Sequence, residues 1–176
     1  MSRLRAACLS ALVWTASPPA HAQSSAFTQL GVAHETNAAA IGLTWNWSSR
    51  WDAAGGLVTG YWEASVGHWA IDTVDRNDTQ SVTQLGVTPV LRYVRASGLF
   101  VEGGVGANVV SPRYSSGDTR FGTRFNFGDH LALGWRFGER RRHEVALRVQ
   151  HFSNGGIRDP NPGEDFVQLR YAIGLD

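Results

Sequence analysis

The chain contains no lysine, and cysteine and methionine occur only once each among its 176 residues. A single cysteine gives no basis for a disulfide framework or a cysteine metal site. Sixteen basic residues, all arginine, nearly balance 15 acidic ones and form no basic tail, so nucleic acid is not expected as a partner. The sequence also lacks an apolar run of about 20 residues, which a membrane-spanning helix would need.

The N-terminal segment predicts export. Two arginines precede an apolar run at residues 6–15, and Ala20-His21-Ala22 then fits the small-x-small pattern of a signal-peptidase site. We therefore expect residues 1–22 to be cleaved as a signal peptide, with residues 23–176 forming one domain. The cleavage would remove two arginines and the only cysteine, which changes the formal net charge from +1 to −1.

The remaining chain alternates between apolar and polar residues in segments of about ten residues, separated by turn-rich stretches. No segment has a convincing helical stripe, so the pattern predicts an all-β fold of eight antiparallel strands. Their approximate ranges are 26–35, 40–49, 57–69, 81–95, 99–109, 120–137, 143–153 and 164–175.

Each predicted strand has one apolar face and one polar face rich in glycine. A lipocalin-like barrel would turn the apolar face inward, whereas an outer-membrane barrel turns it outward against lipid. Charges of both signs on the polar face favour the second arrangement, because they could pair inside a narrow barrel. These residues are Glu63, Arg92, Glu102, Arg124, Arg148 and Arg170. Aromatic residues that could form interfacial girdles are Trp45, Trp47, Trp62, Trp69, Tyr93, Trp135 and Tyr171. We therefore predict an eight-stranded transmembrane β-barrel in a Gram-negative outer membrane.

Loop lengths predict the orientation of this barrel. The longer connections, at residues 70–80, 110–119 and 154–163, follow the third, fifth and seventh strands. Short connections follow the fourth and sixth strands. Outer-membrane barrels keep short turns in the periplasm, so odd-numbered strands should end outside and Ser153 should lie near the outer leaflet.

His151 and Ser153 lie two residues apart in the seventh predicted strand, so both side chains point to the same apolar face. In the eighth strand, Asp165 has the phase of that face and Glu164 has the opposite phase. Antiparallel pairing of these strands would bring Asp165 near His151. A serine, a base and an acid that orients the base are the minimum for nucleophilic acyl transfer.

The residues after the serine could stabilise the oxyanion of such a reaction. The side chain of Asn154 and the backbone N–H groups of Asn154, Gly155 and Gly156 are the candidate donors. The same three residues also fit an ordinary turn. Three apolar neighbours on the lipid side are expected to contact acyl chains: Val149, Val167 and Leu169.

The segment from His151 to Tyr171, HFSNGGIRDPNPGEDFVQLRY, resembles the C-terminal signature of the PagL-type lipid A 3-O-deacylases. The resemblance implies an eight-stranded outer-membrane barrel with a Ser–His–acid triad that removes the ester-linked acyl chain at the 3-position of lipid A, without metal or cofactor. The His-x-Ser-Asn motif falls on His151, Ser153 and Asn154. The family acid, usually glutamate, lies two places after a loop glycine. That position is Asp165 here, and Glu164 stays the alternative acid.

Several alternatives stay open at this point. Asp129 falls in an apolar phase, so either a bulge near Gly128 resets the register or the residue has another role. The barrel could be a noncatalytic structural or adhesive protein in which His151 and Ser153 are only interfacial. A soluble periplasmic lipocalin-like binder is a third reading. For the enzyme, the expected partners are lipid A or lipopolysaccharide and the outer membrane, and a homodimer is left open.

Overall fold

The structure is a computed structural model that describes residues 24–72, 79–116 and 119–175. Eight antiparallel strands close into a barrel in which the last strand pairs with the first, which confirms the predicted fold class. No helix of the described ranges is long and apolar enough to cross a membrane. The predicted signal peptide, residues 1–22, lies outside the described residues. The barrel strands are β1 (Ser24–Ala33), β2 (Thr36–Ala53), β3 (Gly56–Asp72), β4 (Thr79–Arg95), β5 (Leu99–Ser111), β6 (Phe125–Phe137), β7 (His143–Ser153) and β8 (Glu164–Gly174).

The largest shift of a single strand boundary is in the sixth strand, which begins at Phe125 rather than at residue 120. Arg120 instead belongs to a short ladder in which Ser115–Ser116 pairs with Thr119–Arg120. The prediction that Arg124 faces the interior was therefore wrong. This residue precedes β6 and is exposed, because the strand alternation does not extend back to it.

The apolar face points outward, as expected for a membrane barrel and opposite to a lipocalin-like one. Leu131, Val149 and Val167 lie side by side across β6, β7 and β8, and each exposes about half or more of its surface. The next outward-facing row, nearer the barrel end where β7 begins, is also exposed and apolar. It consists of Leu133, Leu147 and Leu169. These rows form part of an apolar belt suited to contact with lipid acyl chains.

Charged side chains fill the middle of the barrel interior. Glu63 accepts hydrogen bonds from Arg148 at 2.9 and 3.1 Å and from Arg170 at 3.2 Å. Glu102 accepts a hydrogen bond from Nε of Arg92 at 2.8 Å. Burying one of these charges without its partner would be strongly unfavourable, so the ion pairs hold the strands in one arrangement.

An aromatic cluster closes the interior at the end of the barrel where β7 ends and β8 begins. Trp69, assigned by sequence to an interfacial girdle, is instead buried, because its position in β3 has the inward phase. Its ring packs against Phe152 and Phe166, with centroids 5.0 and 4.9 Å apart. Tyr114, from the segment after β5, folds over the same cluster at 5.7 Å from Trp69. The cluster therefore supports β7 and β8 from inside, directly behind His151.

Candidate active site

His151 and Asp165 face each other across β7 and β8 on the outer surface of the barrel. Nδ1 of His151 and Oδ1 of Asp165 are 2.7 Å apart, a short hydrogen bond that fixes the orientation of the imidazole ring. The pairing register alone brings the two residues together, because the side chains of directly opposed residues lie on the same face of the sheet. The structure therefore brings together the base and the acid that strand phase predicted.

Glu164 points the opposite way. It pairs with Phe152, is buried, and accepts a hydrogen bond from the Tyr114 hydroxyl at 2.8 Å. The Tyr114 oxygen also lies 2.8 Å from Oγ1 of Thr36. Burial raises the pKa of the Tyr114 phenol above its ordinary value, so this group stays protonated and able to donate at neutral pH. The Glu164 carboxylate thus helps to close the barrel interior and does not contact His151.

Ser153 lies on the same outer face as His151, two positions further along β7. Within the described residues, its hydroxyl makes no hydrogen bond to His151. In unliganded enzymes, the hydrogen bond between a catalytic base and a nucleophile is often long, and it shortens when substrate binds. Ser153 is the last residue of β7, and Gly163 directly precedes β8, whose first residue, Glu164, pairs with Phe152. Both residues therefore lie at the end of the β7–β8 ladder that carries the imidazole.

Gly163 makes room for the His151 ring. A Cβ atom built on Gly163 would overlap Cε1 of His151 and lie 2.9 Å from Nε2, which is closer than real atoms approach. Its φ of +76° is also unfavourable for any residue with a side chain. The ring edge that carries Cε1 and Nε2 is therefore turned towards Gly163, while Nδ1 is turned towards Asp165.

The loop after Ser153 is organised by Asn154, whose side chain is fully buried. Its Nδ2 donates to the carbonyl of Arg158 at 2.6 Å, and its Oδ1 accepts from the N–H of Gly156 at 3.0 Å. The backbone N–H of Asn154 donates to Oδ1 of Asn161 at 2.7 Å. Three of the four oxyanion donors proposed from sequence are thus engaged within the loop. The N–H of Gly155 makes none of the described hydrogen bonds.

Asn161 is a residue of this site that sequence reasoning missed. Its Nδ2 makes none of the described hydrogen bonds, while its Oδ1 ties it to the residue next to Ser153. In the sequence it lies between Pro160 and Pro162, a setting that indicates a rigid loop and gives no sign of a role in the site. Only the folded loop brings its side chain next to the backbone of Asn154, the residue after Ser153.

On its other side, His151 pairs with Asp129 of β6. The register is continuous through Gly128 on both neighbours of β6, so the bulge considered from sequence does not occur. Asp129 is exposed on the outer face, at the same level as His151 and Asp165. Phe127 lies opposite Ser153 and packs over Gly155. A polar row therefore borders the apolar belt at the level of the imidazole.

An open groove on the outer surface runs from this polar row into the apolar belt. His151 and Asp165 line one end of it. Its apolar lining includes Leu91, Gly103, Val105, Leu131 and Val149. The other two residues predicted to contact acyl chains, Val167 and Leu169, line a separate apolar depression with Leu147. All three predicted contact residues therefore face lipid, on two adjoining surfaces.

Comparisons with known proteins point to one family. The sequence matches the family model described as lipid A 3-O-deacylase (PagL) over residues 37–174. It is 38% identical over 131 residues to the lipid A deacylase PagL of Bordetella bronchiseptica and 32% identical over 137 residues to that of Pseudomonas aeruginosa. These alignments cover 72% and 76% of this chain, and they span 64% and 75% of the relatives' own lengths.

The fold is also similar to a solved structure, described as the crystal structure of the outer membrane enzyme PagL. The TM-score is 0.73 at 28% sequence identity. The match covers 85% of this chain and 98% of that one. The similarity therefore extends over the whole barrel and is not confined to the His-x-Ser-Asn motif.

Proposed function

Because the chain belongs to the lipid A 3-O-deacylase (PagL) family, we propose that it hydrolyses the ester that links an acyl chain to the 3-position of lipid A. The observation that carries this proposal is the His151–Asp165 hydrogen bond on the lipid-facing surface, two positions from Ser153. A polar site bordered by an apolar belt suits a substrate whose reactive ester lies between a sugar headgroup and an acyl chain.

In the proposed mechanism, Asp165 accepts a hydrogen bond from Nδ1–H of His151, which leaves Nε2 free to accept a proton. His151 removes the proton of Ser153, and the Ser153 oxygen attacks the ester carbonyl. Collapse of the tetrahedral intermediate expels the sugar hydroxyl, which takes the proton back from His151. Water then cleaves the acyl-enzyme by the same base, and the fatty acid leaves.

The oxyanion needs donors that are not already engaged. The N–H of Gly155 and Nδ2 of Asn161 meet this condition, and both belong to the loop that follows Ser153. Asn154 then acts as a positioning residue, since its buried side chain holds the loop in shape. The N–H of Gly155 and Nδ2 of Asn161 are therefore the proposed oxyanion donors, in place of the Asn154 side chain.

The acyl chain is proposed to lie in the groove below the polar row. Val149 lines this groove directly beneath His151, and Leu131 and Val167 flank Val149 across the neighbouring strands. An acyl chain that continued into the adjoining depression would contact Val167 and Leu169. Because these side chains face lipid, the substrate could reach Ser153 by lateral diffusion within the leaflet.

Mass spectrometry of lipid A from Gram-negative cells that express the protein tests the proposal. The wild type should yield lipid A that lacks one ester-linked acyl chain. Ser153→Ala should lower the deacylation rate by at least about 10²-fold, because it removes the nucleophile. The heat-modifiable migration of Ser153→Ala in detergent should match that of the wild type. This result would show that the variant barrel still folds.

The matched control is Ser97→Ala, which removes a serine hydroxyl from the turn at the opposite end of the barrel. This variant should deacylate lipid A like the wild type. An unchanged acylation pattern with folded wild-type protein would instead favour the noncatalytic barrel. Substantial deacylation by Ser153→Ala would remove the nucleophile assignment.

A further inference from the structure

A second polar site lies inside the barrel at the end opposite His151. A cavity of about 90 Å³ opens there between the ends of β2, β6, β7 and β8. One water needs only about 10–15 Å³ of such space, so the cavity can hold several waters or one tetrahedral anion. Its polar lining is dominated by arginine: Arg50, Arg92, Arg136, Arg141, Arg142 and Arg170.

The charges around this cavity do not balance. Glu144 is the only acidic residue among its described lining residues. This carboxylate already accepts contacts from Arg92 at 2.9 Å and from Arg136 at 3.0 Å. Two neighbouring carboxylates also pair with lining arginines, Glu102 with Arg92 and Glu63 with Arg170. Arg50, Arg141 and Arg142 have no carboxylate partner among the described residues, so they carry the excess positive charge of the cavity.

Buried guanidinium groups also retain unused donors there. Arg170 is only 2% exposed, and its Nε has no hydrogen-bond partner among the residues that the structure describes. Nε of Arg142 is likewise buried without a partner, although Nη2 of the same residue donates to the carbonyl of Gly174 at 2.9 Å. A buried charged donor without an acceptor is costly, and an anion in the cavity would supply acceptors to several arginines at once.

We propose that this cavity is a binding site for a phosphate-class oxyanion. Arg142 and Arg170 contribute the unpartnered donors, and Arg50 and Arg141 add positive charge at the opening. The guanidinium group matches the geometry of phosphate oxygens better than other cationic side chains. The bound anion is either free phosphate or the phosphate of a lipid headgroup at that membrane surface. The proposal does not depend on the deacylase activity, because the two sites lie at opposite ends of the barrel.

Thermal unfolding of the full-length mature protein in a non-ionic, phosphate-free detergent tests the site. The temperature at which half of the protein loses its folded, heat-modifiable migration is measured in inorganic phosphate and in chloride at matched ionic strength. A ligand that binds only the folded state raises this midpoint. We expect phosphate to raise it by about 5 °C when present at about 100 times its dissociation constant.

The matched variants are Arg142→Gln and Arg140→Gln, which remove the same charge from neighbouring positions of one turn. Arg140 is exposed and does not line the cavity. The phosphate-specific shift should persist in Arg140→Gln and be lost or greatly reduced in Arg142→Gln. Arg50→Gln, at the opening of the cavity, should also reduce the phosphate-specific shift. Because residue 50 lies in β2, this second variant separates loss of the anion site from a local structural effect of the substitution at residue 142.

A second arm distinguishes the source of the phosphate group. The same unfolding measurement is made in mixed micelles that contain a phosphatidic acid, against micelles that contain a fatty acid of equal charge. A shift with phosphatidic acid that disappears in Arg142→Gln supports a lipid headgroup, whereas a shift with inorganic phosphate alone supports the free anion. Equal shifts for wild type, Arg140→Gln and Arg142→Gln in both arms, or no shift in either, would overturn the site.

Discussion

His151 and Asp165 occupy opposed positions of β7 and β8, and their 2.7 Å hydrogen bond lies on the outer face of the sheet. One position earlier, Glu164 points inward and accepts its hydrogen bond from Tyr114. Two adjacent carboxylates of β8 therefore lie on the inner and the outer face of the same barrel wall. The short side chain of aspartate is sufficient to reach the imidazole because the two residues are directly opposed.

The first prediction separates these two acids. Asp165→Asn should lower the deacylation rate by about 10²-fold, because the amide cannot stabilise the imidazolium and can favour the wrong tautomer of His151. Glu164→Gln should retain most of the activity, since its side chain contacts Tyr114 instead. Initial rates on purified lipid A, with protein amounts matched by heat-modifiable migration, measure both effects. The opposite ranking of the two variants would assign the acid to Glu164.

The second prediction concerns the space beside the imidazole. Gly163→Ala should strongly reduce kcat, because the added methyl group would displace His151 from its position beside Ser153. The substitution also adds backbone strain of about 1–2 kcal/mol at the positive φ.

Gly156→Ala controls for that strain. Gly156 has a similar φ of +80°, but nothing lies within 4 Å of the Cβ position. The control variant should therefore lose some stability yet keep most of its kcat. If both variants lost activity equally, strain in the loop would explain the result and Gly163 would have no specific role beside the ring.

The third prediction tests the orientation of the barrel in the membrane. Ile157 is 62% exposed in the loop between β7 and β8, and Arg140 is exposed in the turn between β6 and β7 at the opposite end. The mature chain is expected to lack cysteine, so Ile157→Cys and Arg140→Cys each introduce one reactive thiol. A membrane-impermeant maleimide added to intact cells should label Ile157→Cys but not Arg140→Cys. Labelling of Arg140→Cys alone would show that the candidate active site faces the periplasm.

The strands could be predicted closely from the sequence because side-chain alternation has a fixed period of two. The predicted seventh strand ended at Ser153, as in the structure, and its phase was sufficient to pair His151 with Asp165 rather than with Glu164. The same reasoning placed Val149, Val167 and Leu169 on the outer face, where the structure has them. Where residues alternate without interruption, their positions follow from local geometry alone.

The connecting segments could not be predicted in this way. Tyr114 becomes buried because the segment after β5 folds over the barrel mouth, a contact between residues distant in sequence. Asn161 contacts Asn154 within one irregular loop, where strand alternation does not determine the direction of a side chain. The role of Gly163 depends on the position of the His151 ring, which strand phase does not give. No periodic pattern connects these residues, so their contacts appear only when the chain is folded.

The filled interior has a consequence for the cell envelope. The aromatic cluster around Trp69 closes one end, and the ion pairs of Glu63 and Glu102 occupy the middle. In the part of the barrel that the structure describes, these side chains therefore block an aqueous path along the axis. Cells that produce the protein in quantity should keep their barrier to hydrophilic antibiotics, and any change in sensitivity should arise from altered lipid rather than from leakage through the protein.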